Sequence, residues 1–210
     1  SYLKALSNYL VDNGVSFEAD QSYQLSRVEN NWSVKFGDGE CINPKNIIIT
    51  AGISSNIFDF YRDLPLIAVK GQLALFESEN PFPFQHAVSA LGYYASLDNH
   101  VFVAGSTYEH KFTHEGTDEY GADYVQNRLY KIIPELKNTS KLIKQWSGVR
   151  ASTPDRMPIV GKHHIYTNCY TLCGLGSKGL LYSALFSKEL ANAIINKTEI
   201  SSEVNINRFF

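Results

Sequence analysis

The chain has 210 residues, 44% of them hydrophobic and 13% aromatic, which fits one sizeable core or two small lobes and excludes a disordered chain. Its 19 basic and 21 acidic residues leave a net charge of -2, which gives no support for a broad basic surface and leaves room only for a local patch. The apolar runs are too short to cross a bilayer, no signal peptide is visible, and Cys41, Cys169 and Cys173 have neither metal-ligand nor disulfide spacing, so a cytoplasmic location without membrane contact is expected.

Leu3, Leu6, Leu10 and Val11 recur at helical spacing, and Gly14 ends that helix. Short strands are expected over 16–19, 23–29 and 32–36, with Gly37-Asp38-Gly39 as a hairpin turn. Residues 46–50 read as an apolar strand buried on both faces, running into Ala51-Gly52. A long strand over 66–77 carries Gly71, and 86–97 with 100–106 form a hairpin across Asp98-Asn99. Residues 120–133 have helical periodicity and stop at Pro134. Strands over 141–151 and 157–160 flank the Thr153-Pro154-Asp155 turn, 166–173 is the last strand, and 178–195 the last helix. The sum is an α+β fold with a large mixed or antiparallel central sheet flanked by helices.

Gly174-Leu175-Gly176-Ser177-Lys178-Gly179 spells G-x-G-x-x-G between a strand and a helix. Glycines permit a tight turn and close backbone approach, and a helix N-terminus presents free N–H groups to negative charge. A dinucleotide-binding βαβ unit needs about 30 residues and an acid after its second strand. Glu199 stands at that distance, but no apolar strand precedes it. The expectation is therefore a ligand site at a terminal helix start, not an ordinary Rossmann unit. No metal site and no Ser/His/Asp set is expected. His110 and His114 lack the glutamate of a zinc-peptidase helix, and His163-His164 reads as a solvated turn. Cys173 reads as a small buried thiol. Lys137, Lys141, Lys144 and Arg128 are either a modest basic face or ordinary surface charges.

The segment Gly148-Val149-Arg150-Ala151-Ser152-Thr153-Pro154-Asp155-Arg156-Met157-Pro158-Ile159-Val160-Gly161 resembles a stretch of the FAD-dependent amine oxidases, the family of glycine oxidase and D-amino-acid oxidase. Gly174–Gly179, Val69-Lys70-Gly71-Gln72, and Gly92-Tyr93-Tyr94 followed by Val101-Phe102-Val103-Ala104-Gly105-Ser106 resemble further motifs of that family, in the same order. With Gln126-Asn127-Arg128, the likeness is greatest to the oxidase half of bifunctional bacterial tRNA-modifying enzymes, over about residues 3–196.

The resemblance implies an FAD cofactor and an oxidative cleavage of a secondary amine. The substrate it implies is carboxymethylaminomethyl-uridine in tRNA, cleaved to aminomethyl-uridine and glyoxylate. A free amino acid such as glycine or sarcosine is the alternative substrate, and a non-catalytic piece without cofactor is a third possibility. Arg150 and Tyr93 would bind the substrate carboxylate. Without the resemblance, Arg150 reads as a structural arginine paired with Asp155 or a glutamate, and Tyr93 as a cross-strand aromatic. Gly174, Leu175, Gly176, Ser177, Lys178, Gly179 and Leu180 would face the flavin, and Thr50, Ala51 and Gly52 the FAD phosphates. Met157, Pro158 and Gly161 would approach the same ring. No catalytic acid or base is implied.

The implied domains are a partial FAD-binding domain over 1–64, a substrate domain over 65–150, and a return to the FAD-binding domain over 151–210. The family's opening dinucleotide module does not precede Ser1. The chain is therefore expected to be the C-terminal part of a longer parent, inactive by itself, with the missing FAD-binding segment as its partner.

Overall fold

The computed structural model describes residues 2–18 and 22–210 and divides into two compact units. The first takes its described residues up to Ile47 together with Ile165–Cys169. Helix α1 (Tyr2–Asp12) stops where Gly14 turns left-handed at φ +85° and Val15 N–H donates to Leu10 O at 3.0 Å, a glycine-terminated helix end. Strands β1 (Tyr23–Val28), β2 (Asn31–Phe36) and β3 (Cys41–Ile42) form an antiparallel meander. The Gly37-Asp38-Gly39 turn forms as expected. Gly39 adopts φ +95°, and Asp38 Oδ1 accepts from Glu40 N–H at 3.0 Å. The strand expected over 16–19 does not form across residues 16–18, a stretch too short for alternation to distinguish strand from linker, and Ala19 lies outside the described residues.

The second unit comprises Ile48–His164 and Tyr170–Phe210. Its larger sheet has the order β6 (Val88–Ser89), β7 (Tyr93–Ser96), β8 (Val101–Gly105), β5 (Ile67–Ser78), β9 (Ser140–Ser152). The described pairings in it are antiparallel. Residues paired across antiparallel strands share a face, and faces alternate along each strand. Ala74, Phe76, Phe102, Ala104 and Tyr94 therefore point to one side. There they meet Val125 and Leu129 of α2 (Glu119–Ile132). The Phe102 ring stacks at 5.5 Å from Phe76 and 4.6 Å from Phe82. Burying each such side chain contributes about 1.5–3 kcal/mol. The opposite face carries Leu73, Gly71, Tyr93, Gly105, Trp146, Gly148 and Arg150, by the pairings Tyr93↔Gly105↔Leu73↔Trp146 and Gly71↔Gly148. The expected sharing of one face by Trp146, Gly148 and Arg150 follows from this register.

The smaller sheet has the order β10 (Ile159–Lys162), β11 (Cys169–Cys173), β4 (Ile47–Ile49). The strand expected over 46–50 is shorter, and its burial is one-sided: Ile49 is buried, whereas Ile48 is 46% exposed. As the edge strand of this order, β4 presents alternate residues to opposite faces, and only one of these is packed. Helix α3 (Gly179–Asn196) lays Phe186 and Leu190 against Val160, Tyr170, Leu172 and Val204.

Candidate functional site

Arg150 is half-buried near the end of β9, and its guanidinium crosses the neighbouring strand at Gly71. A Cβ added at Gly71 would lie 2.1 Å from Arg150 Nη1, so glycine at this position provides the floor on which the guanidinium rests. Nη2 donates to Ser106 Oγ at 2.9 Å and Nη1 to Thr107 O at 3.5 Å. The Tyr108 ring centroid lies 5.9 Å from the guanidinium carbon, within cation–π range. The structural pairing with Asp155 does not occur. Asp155 is held by Arg208 through contacts of 2.8 and 3.3 Å, and among the described residues Arg150 has no carboxylate partner. The Arg208 guanidinium holds the Asp155 carboxyl down at about 2, and the pair fastens the turn that follows β9.

The glycine turn leaves β11 at Gly174, whose φ of +69° is followed by +55° at Gly176. A side chain at Gly174 would meet Thr153 Cγ2 at 2.8 Å, whereas at Gly176 the nearest atom is Ser152 Oγ at 3.8 Å. The first glycine therefore serves packing, whereas at the second a Cβ would make only an ordinary contact and it is the positive φ that calls for glycine. No side chain caps the first turn of α3, and no acidic residue lies in it. Lys178 stands at its N-cap with Nζ 3.3 Å from Tyr182 Oη. A cation at the positive end of a helix dipole is unfavourable without an anion nearby, and uncapped N–H groups call for the same partner.

A cavity of about 340 Å³ opens here, lined by Tyr108, Ser152, Arg156, Leu175, Gly176, Ser177, Lys178 and Tyr182. Tyr108 thus touches both the Arg150 group and the glycine-turn cavity. The uncapped N–H groups, Lys178 and the cavity that Gly176 lines fit a flat ligand with an anionic edge, such as a flavin.

The other expected site residues lie apart. Tyr93 shares the face of Arg150 but sits on β7, across β8 and β5 from β9, and is 42% exposed. Thr50, Ala51 and Gly52 follow β4; Thr171 Oγ1 donates to Ile49 O at 2.9 Å, which sets their strand beside β11. They do not line the glycine-turn cavity, and neither do Gly174, Gly179, Leu180, Met157, Pro158 or Gly161. Tyr108, Ser152, Arg156 and Tyr182 do line it, although the sequence singled out none of them. Arg156 could have been found, since it directly follows the Thr153-Pro154-Asp155 turn. Tyr108 carries no such signal.

His163 is not a solvated side chain: it is 3% exposed, its ring contacts the Phe60 carbonyl, and burial pushes its pKa down. His164 is exposed, with its ring stacked between His163 at 4.6 Å and Phe210 at 4.0 Å. Burial pushes the Cys173 thiol up. Lys141 pairs with Glu77 at 2.8 Å, Arg128 donates to Leu91 O and stacks on Tyr124, and Lys144 lies over Trp146. Among the described residues no cluster could hold a metal ion and no helix is long and apolar enough to cross a membrane.

Several known proteins resemble this chain. The tRNA 5-methylaminomethyl-2-thiouridine biosynthesis bifunctional protein of Acinetobacter baylyi is 30% identical over 158 residues, covering 72% of this chain and 25% of that protein. Glycine oxidase of Pseudomonas putida is 28% identical over 141 residues, covering 64% of this chain and 37% of the oxidase. The chain thus spans 25% to 37% of the length of these curated relatives. The crystal structure of glycine oxidase from Geobacillus kaustophilus superposes with a TM-score of 0.80 at 18% identity, over 94% of this chain and 54% of that one, which is a likeness of fold. The family model described as FAD dependent oxidoreductase matches residues 1–193, and the chain belongs to that family.

Proposed function

We propose that this chain supplies the substrate-binding face and a flavin-facing turn of an FAD-dependent amine oxidoreductase. Its proposed substrate is carboxymethylaminomethyl-uridine in tRNA, cleaved to aminomethyl-uridine and glyoxylate. The observation that carries the reading is Arg150: a guanidinium laid over a glycine floor, without a carboxylate partner among the described residues, beside a tyrosine that also walls the glycine-turn cavity. A planar guanidinium binds a carboxylate through two parallel hydrogen bonds, and this fixes the carbon next to the amine. When bound, FAD supplies the hydride acceptor for that carbon.

The chain's own residues place the substrate and bias the charge. Lys178 and the uncapped N–H groups at the start of α3 would hold the anionic edge of the flavin, with Gly176 lining the cavity beside them. Thr50, Ala51 and Gly52 would face the FAD phosphates, and Tyr93 would close the substrate side. Hydrolysis of the oxidised substrate then yields the primary amine on the uridine and glyoxylate. In this reading residues 1–64 and 151–210 belong to the FAD-binding domain and 65–150 to the substrate domain, in a cytoplasmic protein.

The relative in Acinetobacter baylyi, named for tRNA 5-methylaminomethyl-2-thiouridine biosynthesis, supports the tRNA substrate. A second reading, oxidation of a free amino acid of the glycine or sarcosine type, is favoured by the Pseudomonas putida glycine oxidase and by the engagement of Lys141 and Arg128 within the chain. The flavin-loaded protein should release glyoxylate from tRNA carrying the carboxymethylaminomethyl group faster than from glycine or sarcosine. Glyoxylate from free glycine at the higher rate would select the second reading.

A further inference from the structure

Behind Arg150, on the α2 side of the sheet, lies a polar cluster that the proposed chemistry does not use. Lys70 is 1% exposed and its Nζ meets Asp118 Oδ2 at 2.8 Å and Glu109 Oε2 at 3.9 Å. Gln72 is fully buried; its Nε2 donates to Glu109 Oε1 at 3.0 Å and to Asp118 Oδ1 at 2.8 Å, and its Oε1 accepts from Asp118 N–H at 3.0 Å. Thr107 Oγ1 accepts from Gln72 N–H at 2.8 Å and donates to Glu109 Oε1. Gly121 admits Gln72 at a distance that any side chain there would close, since an added Cβ would lie 2.2 Å from Gln72 Cδ.

The cluster ends on the segment that holds Arg150. Thr107, whose hydroxyl is committed to Glu109 and Gln72, offers its carbonyl to Arg150 Nη1, and Ser106 before it receives Nη2. Glu109 is further pinned by backbone bonds of 2.9 Å in both directions with Lys70. Tyr108, between these two anchored residues, is thereby aimed into the glycine-turn cavity. Besides the Lys70 ammonium, the His114 imidazole faces Asp118, with Nε2 3.8 Å from Oδ2.

We propose that Thr107 and Glu109 are positioning residues: through the buried Gln72–Lys70–Asp118 cluster they fix the segment on which the Arg150 guanidinium is held, leaving its remaining donors for a carboxylate. This rests on the substrate role of Arg150. An apolar replacement of the Thr107 hydroxyl strands buried groups on both sides, which such networks do not tolerate.

The test is the rate at which phenylglyoxal modifies Arg150 in the 210-residue chain, read by peptide mass spectrometry, with Arg208 as internal control. Thr107→Val and Glu109→Gln are expected to speed modification of Arg150 about fivefold, the size of one lost hydrogen bond, with Arg208 unchanged. Thr107→Ser, which restores the hydroxyl, should return the wild-type rate. Wild-type rates in both Thr107→Val and Glu109→Gln would overturn the proposal. So would an equal acceleration at Arg208, which marks general loosening. Protection of wild-type Arg150 by acetate is a separate arm. Its absence would sink the carboxylate role of Arg150 while the variant rates still decide the positioning role.

Discussion

Arg150→Ala is expected to weaken binding of a carboxylate-bearing substrate by about 2–4 kcal/mol, as loss of a paired, charge-assisted contact does. The loss should fall on KM, or on the Kd of a carboxylate inhibitor. Fold stability should change little, because among the described residues the guanidinium makes two hydrogen bonds, to Ser106 and to the Thr107 carbonyl, and no ion pair. Arg150→Lys keeps the charge but loses the planar fork and should recover only part of the affinity. An unchanged KM in Arg150→Ala would remove this residue from the substrate site.

Asp118→Ala should cost about 3–5 kcal/mol of stability, measured by urea or thermal unfolding, because it leaves the Lys70 ammonium buried without its nearest partner. The same carboxylate caps α2, accepting from Gly121 N–H at 2.8 Å, and ties Gln72 to Lys70. Asp118→Asn retains a cap acceptor and should lose less. The Lys70 ammonium, followed by Gln72 and the Gly121 N–H, holds the Asp118 carboxyl far below its ordinary value of 3.8. A depressed native pKa makes its contribution complete above the ordinary carboxylate range. It is lost progressively as pH falls from about 4 through the lower native value. Acid unfolding of Asp118→Ala should accordingly be shallower than that of the wild type over this range. An unfolding midpoint unchanged by the substitution would show that the buried pair contributes nothing.

Part of this site was legible in the sequence, for physical reasons. Gly174 and Gly176 adopt positive φ, so the strand–turn–helix pattern around them carries a backbone requirement that composition alone exposes. Alternation along β9 put Trp146, Gly148 and Arg150 on one face before any pairing was known. What sequence could not supply was the partner across the sheet. Gly71 was visible as a glycine in a strand, but the group it makes room for is a guanidinium on another strand. Tyr108, Thr107 and Glu109 lie in an irregular segment after β8, where no periodicity marks which side chains turn inward. The two-sided burial assigned to the strand over 46–50 failed because apolar content does not reveal whether a strand is central or at an edge. His163 was misread because two adjacent histidines look polar in sequence, whereas the Phe60 and Tyr61 rings that bury one of them come from a segment about a hundred residues earlier.

The most direct test of the account is the visible spectrum of the FAD-loaded protein titrated with glycolate, for the wild type and for Arg150→Ala. A carboxylate held on Arg150 against the flavin should perturb the wild-type band, and the perturbation should vanish in Arg150→Ala. A band that glycolate shifts equally in both proteins, or in neither, would contradict the placement of substrate and cofactor at this face.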